Sequence, residues 1–314
     1  MVEISGMRKA VVTHWDIDGL ASNTIISRYT RPDKKVLSSV TSTFKYLMSL
    51  FEEGYSEIVV ADLNPQLTDL NNYVNLFNAM RKRGCIVKWL DHHLWPEGVE
   101  KTFIEFSDVV LYINDPFTVT ADISANFVNA ARDRFVTMLI ELAFDDDWFQ
   151  GKYELTTIYR RILRFYKWET RYRVLESLLA GDIAPRWMLE LYRLEVKNIY
   201  ENLIREALGR AELVERKGVK ILVFPDVDPR VHPGELISVA EKNGFTSHVY
   251  IVRYPRGVNL RSDYVDVSKI ALKYGGGGHR KISGIPGRVD IETLINEIVR
   301  AIEVEAKVHG NYII

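Results

Sequence analysis

The chain has 314 residues, 47% hydrophobic and 26% charged, the composition of a globular protein long enough for two ordinary domains. A formal net charge of -1 argues against a protein that coats long nucleic acid, which needs a broad basic surface. It leaves room for a small anionic substrate held by local charges or metal ions.

The single cysteine, Cys85, excludes an intramolecular disulfide and a cysteine-built zinc cluster, and suits a reducing cytoplasm. The apolar run in MVEISGMRKAVVTH is too short for a signal peptide, and no window approaches a membrane span, so no membrane partner is expected. In chain order, Lys9–Thr13 predicts a first strand. It runs into His14-Trp15-Asp16-Ile17-Asp18-Gly19 and then an apolar-periodic helix that Asp18 is placed to cap. Alternation on an extended segment turns His14, Asp16 and Asp18 to one side, a ligand set for a divalent ion such as manganese. A polar turn with one capping aspartate is the plainer reading, and it accounts for Asp18 but not for all three.

A weak strand near Lys35–Val40, a helix near Phe44–Phe51 and a strand at Glu57–Leu63 follow, with Asp62 at the end of the last. Leu67, Leu70, Val74 and Phe77 then recur at helical spacing, which is a core face. The next apolar run, Cys85–Leu90, stops at Asp91-His92-His93. Aspartate is almost never buried without a partner, so core packing does not explain the triplet. Alone it fits a capped turn as well as a site. Three strands ending in acidic or histidine-bearing turns, with helices between them, imply a parallel sheet that gathers those ends at one edge. That convergence favours a metal site.

Phe103–Asn114 reads as more strand and Ala121–Ala131 as helix. The helical run Phe135–Ala143 leads into Asp145-Asp146-Asp147, carboxylates that repel one another unless solvated or bound to cations. At least one is expected to complete the metal site. Lys152 to about Gly209 reads as helical, with Arg160, Arg164, Lys167 and Arg171 on one face if the helix is unbroken. Tyr159, Phe165, Tyr166, Trp168 and Tyr172 are interleaved. Such a stripe can track a nucleic-acid strand, but a solvated face of an amphipathic helix is the reading placed first. From Gly218 the pattern returns to α/β, with strands at Val219–Phe224 and Ser247–Arg253 around a helix at Gly234–Lys242. Asn259-Leu260-Arg261-Ser262 follows, then a helix from Asp266 and the run Gly275-Gly276-Gly277-Gly278-His279. Such glycines allow backbone amides close to an anion, Arg261 offers a planar fork for phosphate, and His279 adds a donor. Ile291, Leu294, Ile298 and Ile302 mark the core face of a last helix.

THWDIDG (Thr13–Gly19), ADLNP (Ala61–Pro65), LDHH (Leu90–His93) and RSDYVDVSKIALKYGGGGHRKISG (Arg261–Gly284) stand in an order and spacing that resemble a DHH-family phosphoesterase with the DHH-associated C-terminal domain. The resemblance spans nearly the full chain. The first motif is more like that of RecJ exonucleases than the Asn-Pro form. The acidic run reads Phe-Asp-Asp-Asp where nanoRNase-like members carry a Thr-Asp-Thr-Gly-type string, and Ile282 stands where a small residue is usual.

The resemblance implies an α/β fold of two domains. A parallel-sheet catalytic domain with a helical extension covers 1–186, a helical linker 187–215 and a smaller α/β substrate-binding domain 216–314. It also implies two divalent ions, usually Mn2+, with Co2+ or Mg2+ as substitutes. His14, Asp16 and Asp62 would hold one ion; Asp18, Asp62, His92 and an acidic-turn carboxylate would hold the other. Matching the downstream Phe149 favours Asp145 for that turn, with Asp146 the fallback. Asp91 would orient the site and His93 would contact the scissile phosphate. Arg261, Ser262, the glycines Gly275, Gly276, Gly277 and Gly278, and His279 would bind the substrate's phosphate or terminal nucleotide across the interdomain cleft.

The expected activity is hydrolysis of short oligonucleotides to nucleoside 5′-monophosphates by a two-metal mechanism. The alternatives are a RecJ-type nuclease on single-stranded DNA, a phosphatase on 3′-phosphoadenosine 5′-phosphate and a dinucleotide phosphodiesterase. From another class comes a non-catalytic module that binds RNA or a protein partner. Expected partners are short single strands, RNA ahead of DNA, or a small nucleotide, and a homodimer is compatible with the chain.

Overall fold

A computed structural model describes residues 7–65, 69–95, 98–115 and 117–309. The apolar runs of the first half form five short strands, β1 (Lys9–His14), β2 (Lys34–Ser38), β3 (Glu57–Ala61), β4 (Ile86–Asp91) and β5 (Val109–Tyr112). All pair in parallel, in the order β2-β1-β3-β4-β5. Both faces are covered, which is why these strands are apolar on both sides rather than alternating. One face (Ala10, Val12, Ile58, Val60, Trp89) packs under α2 (Thr43–Glu52), α3 (Leu70–Lys82) and α4 (Val99–Phe106), where Leu47, Phe77 and Phe103 are buried. The other face (Val11, Val59, Ala61, Leu90) meets Ile26 of α1 (Ile17–Thr30) and Ile123 of α5 (Thr120–Phe127).

Strand β1 leads to β2 on one side and lies against β3 on the other, so chain direction across the sheet reverses between β1 and β3. Ligands of open α/β sheets collect at the carboxyl ends beside such a reversal. Register does the rest. Thr13 pairs with Ala61 and Ala61 with Leu90, so His14, Asp62 and Asp91 occupy the next row along three neighbouring strands.

Helix α6 (Arg134–Asp147) carries the acidic run as its last turn. Helices α7 (Glu154–Phe165), α8 (Trp168–Leu179) and α9 (Arg186–Leu191) follow, then a π-helical turn at Tyr192–Val196 and α10 (Lys197–Gly209). The chain divides into two compact units between Tyr192 and Arg193.

The second unit has a six-stranded sheet in the order β10-β11-β9-β8-β7-β6. Its strands are β6 (Glu212–Arg216), β7 (Val219–Phe224), β8 (Val249–Tyr254), β9 (Gly257–Ser262), β10 (Gly277–His279) and β11 (Ile282–Pro286). Only β7 and β8 run parallel. Its core joins Ile221, Ile251 and Leu260 to Ile270 of α12 (Val267–Lys273) and to Leu294, Ile298 and Ile302 of α13 (Ile291–His309). Helix α11 (Pro233–Lys242) starts with Pro at its first turn, where a missing N–H costs nothing. No helix of the described residues is long and apolar enough to cross a membrane.

Four expectations change. Phe103 is helical, not strand: Val99 and Phe103 are buried one turn apart, and strand begins only at Val109. Asp16, not Asp18, caps α1, because the helix already starts at Ile17 and Asp16 accepts the Gly19 N–H at 3.1 Å. The helical stretch from Lys152 breaks at Tyr166-Lys167, so Arg160 and Arg171 do not share a face. Edge strand β6 went unread because it buries little. Leu67 lies outside the described residues.

Candidate active site

Four segments bring their polar groups to the carboxyl edge of the parallel sheet. Asp62 is the centre. It lies just beyond β3 with φ 59°, a left-handed conformation that aspartate tolerates better than most residues and that marks a strained turn. Around its buried carboxylate stand His14 Nδ1 at 3.9 Å, His92 Nε2 at 3.9 Å and His93 Nδ1 at 3.8 Å. Its Oδ2 makes no hydrogen bond among the described residues, while Oδ1 accepts a long one, 3.4 Å, from the Thr120 hydroxyl.

On the β1 side, His14 Nδ1 lies 2.6 Å from Asp16 Oδ2. A Cβ on Gly19 would fall 2.2 Å from the His14 carbonyl oxygen, so only glycine lets the first turn of α1 fold back onto the end of the strand. Gly19→Ala should therefore cost roughly 1–3 kcal/mol of stability and displace His14. A lowered melting temperature with weakened Mn2+ binding is the expected result; wild-type values for both would sink this account of the turn.

Asp18 points inward and is fully buried. Its two oxygens accept the Thr120 and Ala121 N–H groups at 2.8 and 2.7 Å, the unpaired donors that open α5. His92 Nε2 lies 3.7 Å from Asp18 Oδ2 and 3.2 Å from Asp147 Oδ2. Three ligand groups result, each with its atoms within 4.8 Å: His14, Asp16 and Asp62; Asp18, His92 and Asp147; and Asp62, His92 and His93.

Asp91 is tied differently. Its Oδ1 accepts the His92 N–H at 3.0 Å and lies 2.7 Å from His93 Nδ1, and its Oδ2 accepts Trp95 Nε1 at 2.6 Å. It orients His93 rather than facing the cluster.

The acidic turn separates its three members. Asp145 accepts the Lys152 and Tyr153 N–H groups at 2.7 and 3.0 Å. Asp146 pairs with Arg160 Nε at 2.5 Å, and only Asp147 reaches His92. Asp145, the member favoured from the sequence, is thus occupied by the backbone that opens α7, and Asp146 by a guanidinium.

Electrostatics follow from crowding. Burial pushes Asp62 well up, and the neighbouring carboxylates Asp18, Asp16, Asp147 and Asp91 push it further. Burial, then Asp147, raises Asp18 to about 7 against the pull of His92. Burial lowers His92, but Asp147, Asp18 and Asp91 outweigh it and lift the imidazole to about 10. For Asp16 and Asp91 burial is overcome, by His14 and by His93 respectively, and both carboxyls are held down.

In chelated protein, unfolding moves the Asp18 pKa from about 7 to 3.8. Between those values the unfolded state binds fewer protons, so stability falls as pH rises. The raised His92 acts with the same sign, contributing fully below 6.5 and losing that contribution as pH rises towards 10. A cation removes the reason to hold the protons. Melting curves from pH 4 to 7 should slope downward in chelator and flatten in Mn2+; a flat chelated profile would contradict the crowded-carboxylate account.

The donor set fits divalent metal. Hard carboxylates with a minority of imidazoles suit Mn2+ and its neighbours, and a buried carboxylate oxygen without a hydrogen-bond donor requires some positive partner.

The sequence-predicted residues of the second unit are used locally. Arg261 on β9 donates from Nε to Asn259 Oδ1 at 3.3 Å and packs so closely on Gly234 that a Cβ there would meet its Nη1 at 2.6 Å. The Ser262 hydroxyl donates to His248 O and accepts the Tyr264 and Val265 N–H groups, which commits it to a turn. Gly275, at φ 72°, ends α12. Cβ atoms at Gly276 and Gly278 would strike Gly284 O at 2.0 Å and Ile282 O at 2.5 Å, Gly277 lies in β10, and the His279 carbonyl accepts from Ser283 Oγ at 2.9 Å. Close packing of the hairpin therefore explains two of the four glycines.

Thr120 escaped the sequence reading. The available signal was a threonine at the head of a helix whose opening amides need an acceptor.

No protein-family model matches the sequence, and no curated protein does. Solved structures do match. A DHH-domain member of the s1p family of ribosomal proteins is 17% identical, with a TM-score of 0.67 over 96% of this chain and 87% of its own. RecJ from Thermus thermophilus, solved in complex with Mn2+, is 18% identical with a TM-score of 0.62. The match covers 96% of this chain and 52% of RecJ, about half its length. An exopolyphosphatase-related protein from Bacteroides fragilis is 13% identical with a TM-score of 0.53, over 97% of this chain and 94% of that one. Parallel sheet, second sheet and strand-end motifs together give this chain the two-unit fold of the DHH-domain proteins.

Proposed function

We propose that the chain is a metal-dependent phosphoesterase of the DHH family, hydrolysing short single-stranded oligonucleotides, RNA ahead of DNA, to nucleoside 5′-monophosphates. The observation that carries it is Asp62, which shares one ligand group with His14 and Asp16 and another with His92 and His93 at the carboxyl edge of the sheet. His14, Asp16 and Asp62 would hold one divalent ion. Asp18, Asp62, His92 and Asp147, in place of Asp145, would hold a second. When bound, such a pair lowers the pKa of a water and neutralises charge on the phosphoryl oxygens.

The chain's own residues supply the rest. Asp91 holds His93 through Nδ1, so that the ring presents Nε2 to a phosphoryl oxygen of the substrate and stabilises its growing charge. Thr120 and Ala121 fix Asp18, and Thr120 also fixes Asp62. In the second unit, Arg261 and His279 are assigned to the substrate's phosphate or terminal nucleotide, and Ser262 is not. We place the domain boundary within 187–215. The chain's one thiol, Cys85, is buried and accords with a cytoplasmic setting.

The RecJ structure is a complex with Mn2+, and a similar structure is described as a pGpG-specific phosphodiesterase from Vibrio, 11% identical over 95% of this chain and 99% of that one, with a TM-score of 0.50. The first supports a divalent ion and the second the phosphodiester class, and neither chooses the substrate. The test is Mn2+-dependent turnover on end-labelled RNA and DNA of two to roughly twenty nucleotides, a range suited to single-strand clefts. The panel also holds 3′-phosphoadenosine 5′-phosphate and linear and cyclic dinucleotides. Mononucleotide release, fastest from the shortest RNAs, is expected. Turnover of no member while Mn2+ is bound would leave the non-catalytic binding module as the better reading.

A further inference from the structure

The basic stripe of the sequence does not form a solvated face. Arg160 is buried on Asp146, and Arg171 of α8 is half-buried against Trp15. Trp15 stands between two proposed metal ligands, His14 and Asp16, and its ring lies 5.1 Å from that of His14. The Arg171 Cζ sits 3.7 Å from the Trp15 ring centroid and 4.8 Å from that of Trp168. Its Nε donates to the Leu163 carbonyl at 3.0 Å, which fixes the guanidinium plane.

Among the described residues neither Nη group makes a hydrogen bond or an ion pair. Neither Nη is a buried atom, so the fork is open to solvent and to an anion. Burial and the charge of Arg164 together hold Arg171 down to about 10, with Asp16 pulling the other way, so two guanidinium groups share this corner with one carboxylate. The corner is also an open part of the cluster. His14 and Asp16 side chains are 22% and 33% exposed, comparable with His93 at 32%, against 3% or less for Asp18, Asp62 and His92.

We propose that the Nη fork of Arg171 binds a phosphate of the oligonucleotide next to the scissile one, with Trp15 and Trp168 holding the guanidinium plane. A planar fork of fixed donors matches phosphate oxygens two at a time, and stacking on indole leaves its edge available for them. This rests on the proposed oligonucleotide activity and adds a substrate contact to it.

The experiment compares wild type, Arg171→Gln and Arg171→Lys. Binding of a short labelled single strand is measured in Ca2+ across a salt series, with turnover, Mn2+ affinity and melting temperature alongside. Arg171→Gln should weaken binding about tenfold and flatten the slope of log K against log salt by about 0.7, the loss of one phosphate contact on a single strand. Mn2+ affinity should stay at the wild-type value. Arg171→Lys should keep the slope and recover only part of the affinity, because an ammonium lacks the fork. A wild-type salt slope in Arg171→Gln overturns the contact, whatever happens to affinity, since a packing role would leave the slope alone. Should Arg171→Gln not fold, wild-type affinity in Arg171→Lys overturns the fork. Failure of wild type to bind or cleave any oligonucleotide removes the proposed activity and this contact together, whereas wild-type turnover beside an unchanged slope removes the contact alone.

Discussion

Asp62→Asn should lower Mn2+-dependent turnover by more than about 10³-fold, beyond the loss typical of one missing transition-state donor, and leave a folded protein. Asparagine is the informative substitution for two reasons. It tolerates the left-handed φ of 59° at this position, whereas alanine would add roughly 1–2 kcal/mol of backbone strain. It also keeps the side chain's size while removing the charge that Asp18, Asp16, Asp147 and Asp91 crowd. In chelator the variant should therefore melt at or above the wild-type temperature, because it no longer gathers like charges in a buried space. In Mn2+ the order should reverse, since wild type gains binding free energy and the variant gains little. Retained turnover, or an undiminished Mn2+ shift in melting temperature, would remove Asp62 from the shared position.

The row His14, Asp62 and Asp91 was legible because β1, β3 and β4 are mostly apolar runs, broken only by Lys88 in β4, that each lead into a polar stop. Parallel pairing leaves such stops little choice of place. Asp91 could also be read as an orienting group, and its bonds to His93 and Trp95 now give that a geometry. Other details were hidden for physical reasons. Both Asp16 and Asp18 are competent caps, and the residue at which α1 begins depends on Gly19 closing onto His14, a contact between backbone atoms that leaves no trace in side-chain pattern. Thr120 acts largely through its main-chain N–H, which any residue but proline carries. Arg160, Arg164, Lys167 and Arg171 looked like one face because nothing local announces the break at Tyr166-Lys167. Once it occurs, Arg160 and Arg171 turn to different acceptors, a buried carboxylate and an indole.

The acidic turn shows the same limit most sharply and yields the second large effect. Consecutive helical residues point about 100° apart, so Asp145, Asp146 and Asp147 at the end of α6 face three directions, and composition cannot say which one meets the metal. Asp147→Asn should reduce turnover and Mn2+ affinity by at least roughly 100-fold, the upper part of the range for groups that merely support a ligand. Its chelated stability should stay near wild type, because relief from the neighbouring carboxylates offsets the lost pairing with His92. Asp145→Asn should do the opposite. Asp145 is buried and accepts two N–H groups, one on each oxygen, that hold α7 to the end of α6; an asparagine has one oxygen and would turn its NH2 toward the other donor. A loss of about 1–3 kcal/mol follows from weakening bonds to a buried charged group, with turnover per folded molecule near wild type. Measured together, melting temperature in chelator and kcat in Mn2+ separate a ligand from a strut, since each variant should move one and spare the other. If Asp147→Asn keeps wild-type kcat and Mn2+ affinity while Asp145→Asn loses both, the ligand is Asp145, and the helix end must rotate on metal binding to deliver it.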